Sequence, residues 1–84
     1  MAQVTKVTVI TTATLLTAAN GNRKTMMIKN NGAASIFIGN SNQVTTATGL
    51  ELPQGQQLCV TGDTDAYWGI CAAGSQQVDV VEIL

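Results

Sequence analysis

Two cysteines are the most reactive side chains of this 84-residue sequence. Cys59 and Cys71 would suit a nucleophile, a disulfide or a link between subunits. A nucleophilic thiol needs a base or a cationic neighbour, and the sequence contains no His. If the two strands that carry the cysteines form a hairpin with Val60 opposite Trp68, the cysteines lie diagonally, about 7–8 Å apart. That separation exceeds the usual reach of a disulfide. We therefore expect two free, structural thiols.

Asp63 and Asp65 flank Thr64 directly after Gly62, a spacing that could serve a hard cation. Ca²⁺ requires six to eight oxygen ligands, and no neighbouring segment repeats the motif. We therefore expect no metal here, and a polar hairpin turn in which the Asp side chains bond the local backbone.

The remaining titratable residues show no catalytic pattern. Five carboxylates are spread along the chain, and no spacing pairs an acid with a base. A chain of this size also has little room for a substrate pocket. The sequence therefore predicts no catalytic residues, no cofactor and no enzymatic activity.

The adjacent aromatic residues Tyr67 and Trp68 could stack on a sugar. The hairpin register described above places Trp68 in the core as its main anchor and leaves Tyr67 alone at the surface. One aromatic ring is a poor carbohydrate platform, so a small glycan-binding module is the weaker alternative.

Three of the four basic residues lie close together, at Arg23, Lys24 and Lys29. Such charges protect a strand edge from unwanted pairing or attract an acidic protein surface. They are too few for a nucleic-acid groove, which needs an extended basic patch. We expect no nucleic-acid partner.

The sequence predicts that these residues are carried by short β-strands. Every residue from Val7 to Thr12 is β-branched, and turn residues recur every 8–12 positions. This pattern predicts a single all-β domain over residues 1–84, a small antiparallel β-sandwich or jelly-roll-like barrel of about seven strands. The predicted strands are 4–10, 23–29, 35–38, 50–52, 58–61, 66–72 and 77–83. Residues 12–19 are expected to be extended or to form a single turn.

Two turns are predicted to close tight hairpins. Asn30-Asn31-Gly32 would join 23–29 to 35–38, and Gly62–Asp65 would join 58–61 to 66–72. The predicted core consists of the apolar residues on the inward faces of these strands. They are Ile28, Ile36, Ile38, Leu58, Val60, Trp68, Ile70 and Val80.

Charged residues make up only 11% of the chain, less than half the usual share, and the net charge is near zero. A small free domain normally carries a charged shell, so this deficit indicates a surface that meets other protein, including copies of itself. No apolar run approaches a membrane span. The contacts are expected from an N-terminal arm (Met1–Lys6), the basic segment and the loop Asn40–Gly49. The candidate contact residues are Gln3, Lys6, Arg23, Lys24, Asn40, Asn42 and Gln43.

Three segments carry a resemblance to a known group of proteins. They are Asn22–Gly39 (NRKTMMIKNNGAASIFIG), Gly49–Gly55 (GLELPQG) and Ala73–Glu82 (AGSQQVDVVE). Together they resemble small virion structural proteins of tailed bacteriophages. The resemblance implies a capsid decoration, or cement, protein on the phage head surface, made in the host cytoplasm. It also implies a homo-oligomer, such as a trimer, that binds the major capsid protein or another virion protein. A tail, neck or fibre component is the alternative.

Overall fold

A computed structural model describes residues 2–84, which form eight β-strands and their connections. The predicted all-β class is confirmed, and the additional strand lies within residues 12–19. The strands are β1 (Ala2–Val9), β2 (Thr14–Thr17), β3 (Thr25–Asn30), β4 (Ile36–Gly39), β5 (Leu50–Leu52), β6 (Gln57–Thr61), β7 (Tyr67–Cys71) and β8 (Gln76–Ile83).

The strands build two four-stranded antiparallel sheets, ordered β1-β8-β3-β6 and β2-β7-β4-β5. The first strand pairs with the last, the second with the seventh, the third with the sixth and the fourth with the fifth. This is the strand order of a jelly roll, in which one long folded hairpin wraps into two sheets. Of the two predicted architectures, the small antiparallel β-sandwich is therefore confirmed.

Both predicted tight hairpins are wrong, because β3 and β4 lie in different sheets, as do β6 and β7. The reason for the first error is Asn30, whose side chain is fully buried. Its Nδ2 donates to the carbonyl oxygens of Ala34 at 2.8 Å and Leu52 at 2.9 Å, and its Oδ1 accepts from the Gly32 N–H at 2.9 Å. These bonds turn the chain inward and carry it across to the second sheet.

Apolar side chains from both sheets fill the space between them. The predicted core residues Ile28, Ile36, Ile38 and Val80 are buried, whereas the predicted Leu58 and Val60 are half-buried and pack against that core. The other buried apolar residues of this core are Val9, Leu16, Met26, Leu52, Tyr67, Cys71 and Val78.

The predicted inward face of β7 is wrong. Trp68 and Ile70 are only half-buried and point outward, while Tyr67, Gly69 and Cys71 point into the core. The cause is Leu16, which fills the space over Gly69: a Cβ on that glycine would lie 3.3 Å from the two Leu16 methyl carbons. A bulge in β2 at this position buries both Leu16 and Thr17.

The predicted N-terminal arm is also wrong for the part that the structure describes. Residues 2–6 belong to β1 and pair with β8 from Ala2 opposite Ile83 to Lys6 opposite Asp79. Because β1 is an edge strand, these residues stay exposed although they are paired. Met1 lies outside the described residues.

Arg23 is not the surface contact that its charge predicts, since its side chain is fully buried. Its Nε donates to Glu82 Oε2 at 2.8 Å on β8. One terminal nitrogen, Nη1, donates to the carbonyl oxygens of Asp63 at 3.3 Å and Asp65 at 2.7 Å. The other, Nη2, donates to Thr17 Oγ1 at 3.3 Å and to the carbonyl oxygen of Ala18 at 2.6 Å.

A guanidinium has five N–H donors, and five acceptors surround Arg23. They belong to the end of β2, to the β2–β3 connection, to the β6–β7 connection and to β8. This side chain therefore fastens both sheets at one end of the sandwich, which we call the Arg23 end.

Replacing Arg23 tests this role. Arg23→Met is expected to lower the free energy of unfolding by about 3–5 kcal/mol, because it leaves the half-buried Glu82 and the part-buried backbone acceptors without their donor. A domain of this size has a total stability of about 4–13 kcal/mol, so the loss is large. Urea denaturation measures it.

The matched control is Lys24→Met at the exposed neighbouring position, where a change within about 0.5 kcal/mol is expected. Similar unfolding midpoints for the two variants would contradict the structural role of Arg23.

Candidate protein-contact site

The outer face of the second sheet is apolar on β2, β4 and β7, whereas the outward residue of its edge strand β5 is Glu51, opposite Phe37. An antiparallel sheet in a sandwich normally turns polar side chains to solvent. Here the outward residues of β2, β4 and β7 are Leu15, Phe37, Trp68 and Ile70, and we call this group the apolar face. The chain has only one Trp and one Phe, and both lie on it.

Strand register makes the apolar face continuous. Leu15 lies opposite Trp68 across the β2–β7 pair, and Phe37 lies opposite Ile70 across the β4–β7 pair. Leu15 is 42% exposed, and the other three side chains are half-buried. Large side chains in adjacent rows of this kind supply the buried anchors of protein interfaces, where Trp in particular carries binding energy.

The β4–β5 loop borders the apolar face and is held in place by its own buried Val44. A Cβ at Gly39 would lie 2.8 Å from Val44 Cγ2, and one at Gly49 would lie 3.0 Å from the same atom. Gly39 itself is the partner of Trp68 on the β4 side. The two glycines thus let the loop close tightly beside the apolar face.

Several predicted contact residues meet at the Arg23 end. Asn40, Asn42 and Gln43 are exposed on the β4–β5 loop. Asn40 Nδ2 donates to the carbonyl oxygen of Ala66 at 3.5 Å, which brings this loop beside the β6–β7 connection. Exposed Lys24 reaches the same connection, since its carbonyl oxygen accepts from the Gly62 N–H at 3.0 Å.

Two predicted contact residues lie on β1, on opposite faces of the first sheet. Gln3 is exposed near the Arg23 end, opposite Glu82. Lys6 is on the outer face, where its Nζ lies 2.9 Å from Asp79 Oδ1. The hydrogen bond from Lys6 lowers the pKa of Asp79, but the Lys6 side chain is 75% exposed, so water screens the pair. Contact through any of these residues stays a prediction.

Tyr67 is not the surface aromatic that the sequence predicts. Its ring is buried, and its hydroxyl donates to the carboxylate of Asp63, while the Asp65 N–H donates to Asp63 Oδ1 at 2.9 Å. These bonds, Tyr67 first, hold the pKa of Asp63 below its usual range. Burial, and then the bond to Asp63, raises the pKa of Tyr67. The predicted bonding of an Asp side chain to the local backbone is confirmed for Asp63, although the segment is a crossover between sheets.

Both cysteines are free, as predicted, but for a different reason. Cys71 is buried on β7 with its thiol 3.6 Å from the carbonyl oxygen of Val9, whereas Cys59 is exposed on β6 in the other sheet. The predicted diagonal placement in one hairpin is wrong.

Within residues 2–84 there is no pocket and no group of three His, Cys, Asp or Glu side chains placed to hold a metal ion. The described residues also contain no helix long and apolar enough to cross a membrane. The apolar face is therefore the surface feature on which a functional proposal can be based.

Comparison with known proteins identifies the fold but not the family. No protein-family description and no curated sequence matches this chain. Among solved structures, protein NMB1881 from Neisseria meningitidis has a TM-score of 0.64 at 8% identity, over 99% of this chain and 74% of that one. A chain from the Bacillus endospore appendages, a family of disulfide-linked pili, has a TM-score of 0.60 at 14% identity, over 100% and 86%.

The hydrogen bond between Tyr67 and Asp63 gives a pH prediction that a single chromophore reports, because the chain has one Tyr. The folded phenol holds its proton more tightly than the unfolded one, so its contribution to stability is complete below pH about 10 and is lost as the pH rises toward the folded pKa. Phenolate absorbance is therefore expected to appear above pH about 10.

Asp63→Asn removes the acceptor carboxylate and is expected to move this titration to lower pH. Asp65→Asn is the matched control, since Asp65 acts on Tyr67 only through its more distant charge, and a smaller shift is expected. Equal shifts in the two variants would rule out the bond as the cause.

Proposed function

We propose that this chain is a non-catalytic structural protein that binds another protein subunit through its apolar face and the adjoining β4–β5 loop. The observation that carries the proposal is the outward position of Leu15, Phe37, Trp68 and Ile70 on a sheet face that no other strand covers and on which Val44 of the β4–β5 loop packs beside Gly39. Water contact with four large apolar side chains is unfavourable, and burial against a partner removes it.

The assembly that we propose is a tailed-phage virion, with this chain as a capsid decoration protein. The sequence resemblance to phage virion proteins supports this choice, and jelly rolls recur among viral capsid domains. A decoration protein that binds only the assembled head stabilises that head through linkage. The proposed partner is the major capsid protein, and a trimer would match the threefold joints of a shell.

A repeating unit of a fibre is the second candidate, either in a phage tail, neck or head fibre or in a surface appendage. The similar fold of the chain from disulfide-linked pili favours it. The glycan-binding alternative loses Tyr67, which is buried, and would have to use the outward-pointing Trp68 instead.

The copy number of this chain in purified particles of the phage that encodes it tests the proposal. Quantitative mass spectrometry against the major capsid protein is expected to give hundreds of copies per particle, released from the head. A few copies would support the tail, neck or fibre alternative, and complete absence from particles would contradict a virion role.

A substitution on the apolar face tests the binding surface itself. Leu15→Glu places a charge opposite Trp68. Its affinity for particles that lack the protein is expected to fall by about tenfold or more, equivalent to about 1.4 kcal/mol or more. Binding is measured by co-sedimentation of added protein with the particles.

Val4→Glu is the matched control, because Val4 is 67% exposed on the outer face of the other sheet. Its binding is expected to stay within about twofold of the unmodified protein, as expected for a surface substitution away from the contact. Equal weakening by the two substitutions would contradict the assignment of the apolar face.

A further inference from the structure

Strand β6 is an edge strand with none of the usual protection. In the sheet order of the described strands, β3 lies on one side of it and no strand lies on the other. Natural edges are blocked by charge, proline, bulges or short length. Here β2 is bulged, β5 has three residues including Glu51, and β1 carries Lys6, whereas β6 (QLCVT) is uncharged and in unbroken register with β3.

The side of the sandwich next to β6 is also open. Leu58 and Val60 point inward yet are only half-buried, and Leu50 on the neighbouring edge strand β5 is 57% exposed. The opposite side is closed, because the carbonyl oxygen of Ile10 after β1 accepts from the Cys71 N–H at 3.1 Å. Apolar surface at the open side would be buried by an additional strand.

We propose that β6 pairs antiparallel with β6 of a second copy of this chain, about a two-fold axis at Cys59. Glycines with positive φ, Gly55 at 76° and Gly62 at 81°, stand just outside the two ends of the strand. Centring the axis on Cys59 is the register that uses all five strand residues. A shift by one residue in either direction brings a turn residue into the pair.

This register is self-complementary on both faces. On the inner face, Leu58 lies opposite Val60 of the second copy, which continues the core across the junction. On the outer face, Gln57 lies opposite Thr61 of the second copy, and no charges face each other. The pairing joins the two first sheets into one eight-stranded sheet. It involves a different sheet from the apolar face and does not depend on the proposed function.

The pairing is expected to be reversible. Five residues give an edge of about 17 Å, and the surface that it covers is smaller than the roughly 800 Å² per partner of a standard interface. The monomer–dimer equilibrium is therefore measured by sedimentation equilibrium over a wide range of protein concentrations, under reducing conditions.

Two double variants with opposite expectations test the register. Gln57→Glu with Thr61→Glu places carboxylates opposite each other across the two-fold axis, whereas Gln57→Glu with Thr61→Lys places opposite charges there. Within one chain neither double variant places like charges opposite each other on β3 and β6, because position 57 pairs with Lys29 and position 61 with Thr25. The dimer constants of the two variants are expected to differ by about tenfold or more, the second variant being tighter. Equal constants, or monomers at every concentration, would overturn the proposal.

Cys59 provides an independent test. In an antiparallel pair, directly opposite Cα atoms lie about 4.5–5.5 Å apart, within disulfide reach. Added diamide, an azo oxidant, takes two electrons and two protons from two Cys59 thiols and becomes a hydrazine while one S–S bond forms. Peptide mapping is expected to show a Cys59–Cys59 dimer that forms at least about fivefold more slowly in the like-charged variant. Equal rates in the two variants would show random collision and contradict the pairing.

Discussion

The buried guanidinium of Arg23 is the interaction on which the arrangement of the two sheets depends. A jelly roll must hold crossing connections together although its sheets share few backbone hydrogen bonds. Arg23 does so at one end, where each of its N–H groups donates to an acceptor from β2, the β2–β3 connection, the β6–β7 connection or β8. At the other end Asn30 ties the β3–β4 connection to β5, and Gln76 Oε1 accepts from the N–H groups of Ala33 and Ala34 at 2.8 and 3.1 Å.

This use of charge inside the molecule explains the composition of its surface. Arg23 and Glu82 neutralise each other within the fold, and Lys6 and Asp79 do so on the outer face of the first sheet. Few charges therefore remain to cover the second sheet, whose outward strands carry Leu15, Phe37 and Trp68 instead. Among the outward residues of the second sheet's strands only Glu51 is charged, which is the arrangement expected of a subunit that meets another protein there.

The sequence predicts where strands and turns lie but not how the strands pair. Runs of β-branched residues and turn residues locate the strands within a few positions, because these preferences are local. The predicted hairpin at Asn30 is wrong because Asn suits a tight turn and a buried crossover equally well. The hydrogen bond from Asn30 to the distant Leu52 favours the crossover. The prediction for the inward side of β7 is wrong because it followed the larger apolar residues, Trp68 and Ile70. The side that turns inward is decided instead by Leu16, which occupies the space over Gly69. Arg23 shows no sequence sign of burial, since its acceptors come from segments up to 59 residues away. The alternation in Tyr67–Cys71 predicts the outward position of Trp68 and Ile70 if Gly69 is placed on the inward side of β7.

The proposed contact of the second sheet with protein, through Leu15, Phe37, Trp68 and Ile70, would be visible in a cryo-electron-microscopy map of the proposed particle at a resolution that shows side chains. Density of another subunit is expected to pack against these four residues and against the β4–β5 loop, with Trp68 enclosed. A map in which this face is open to solvent, with every contact made elsewhere on the chain, would contradict it.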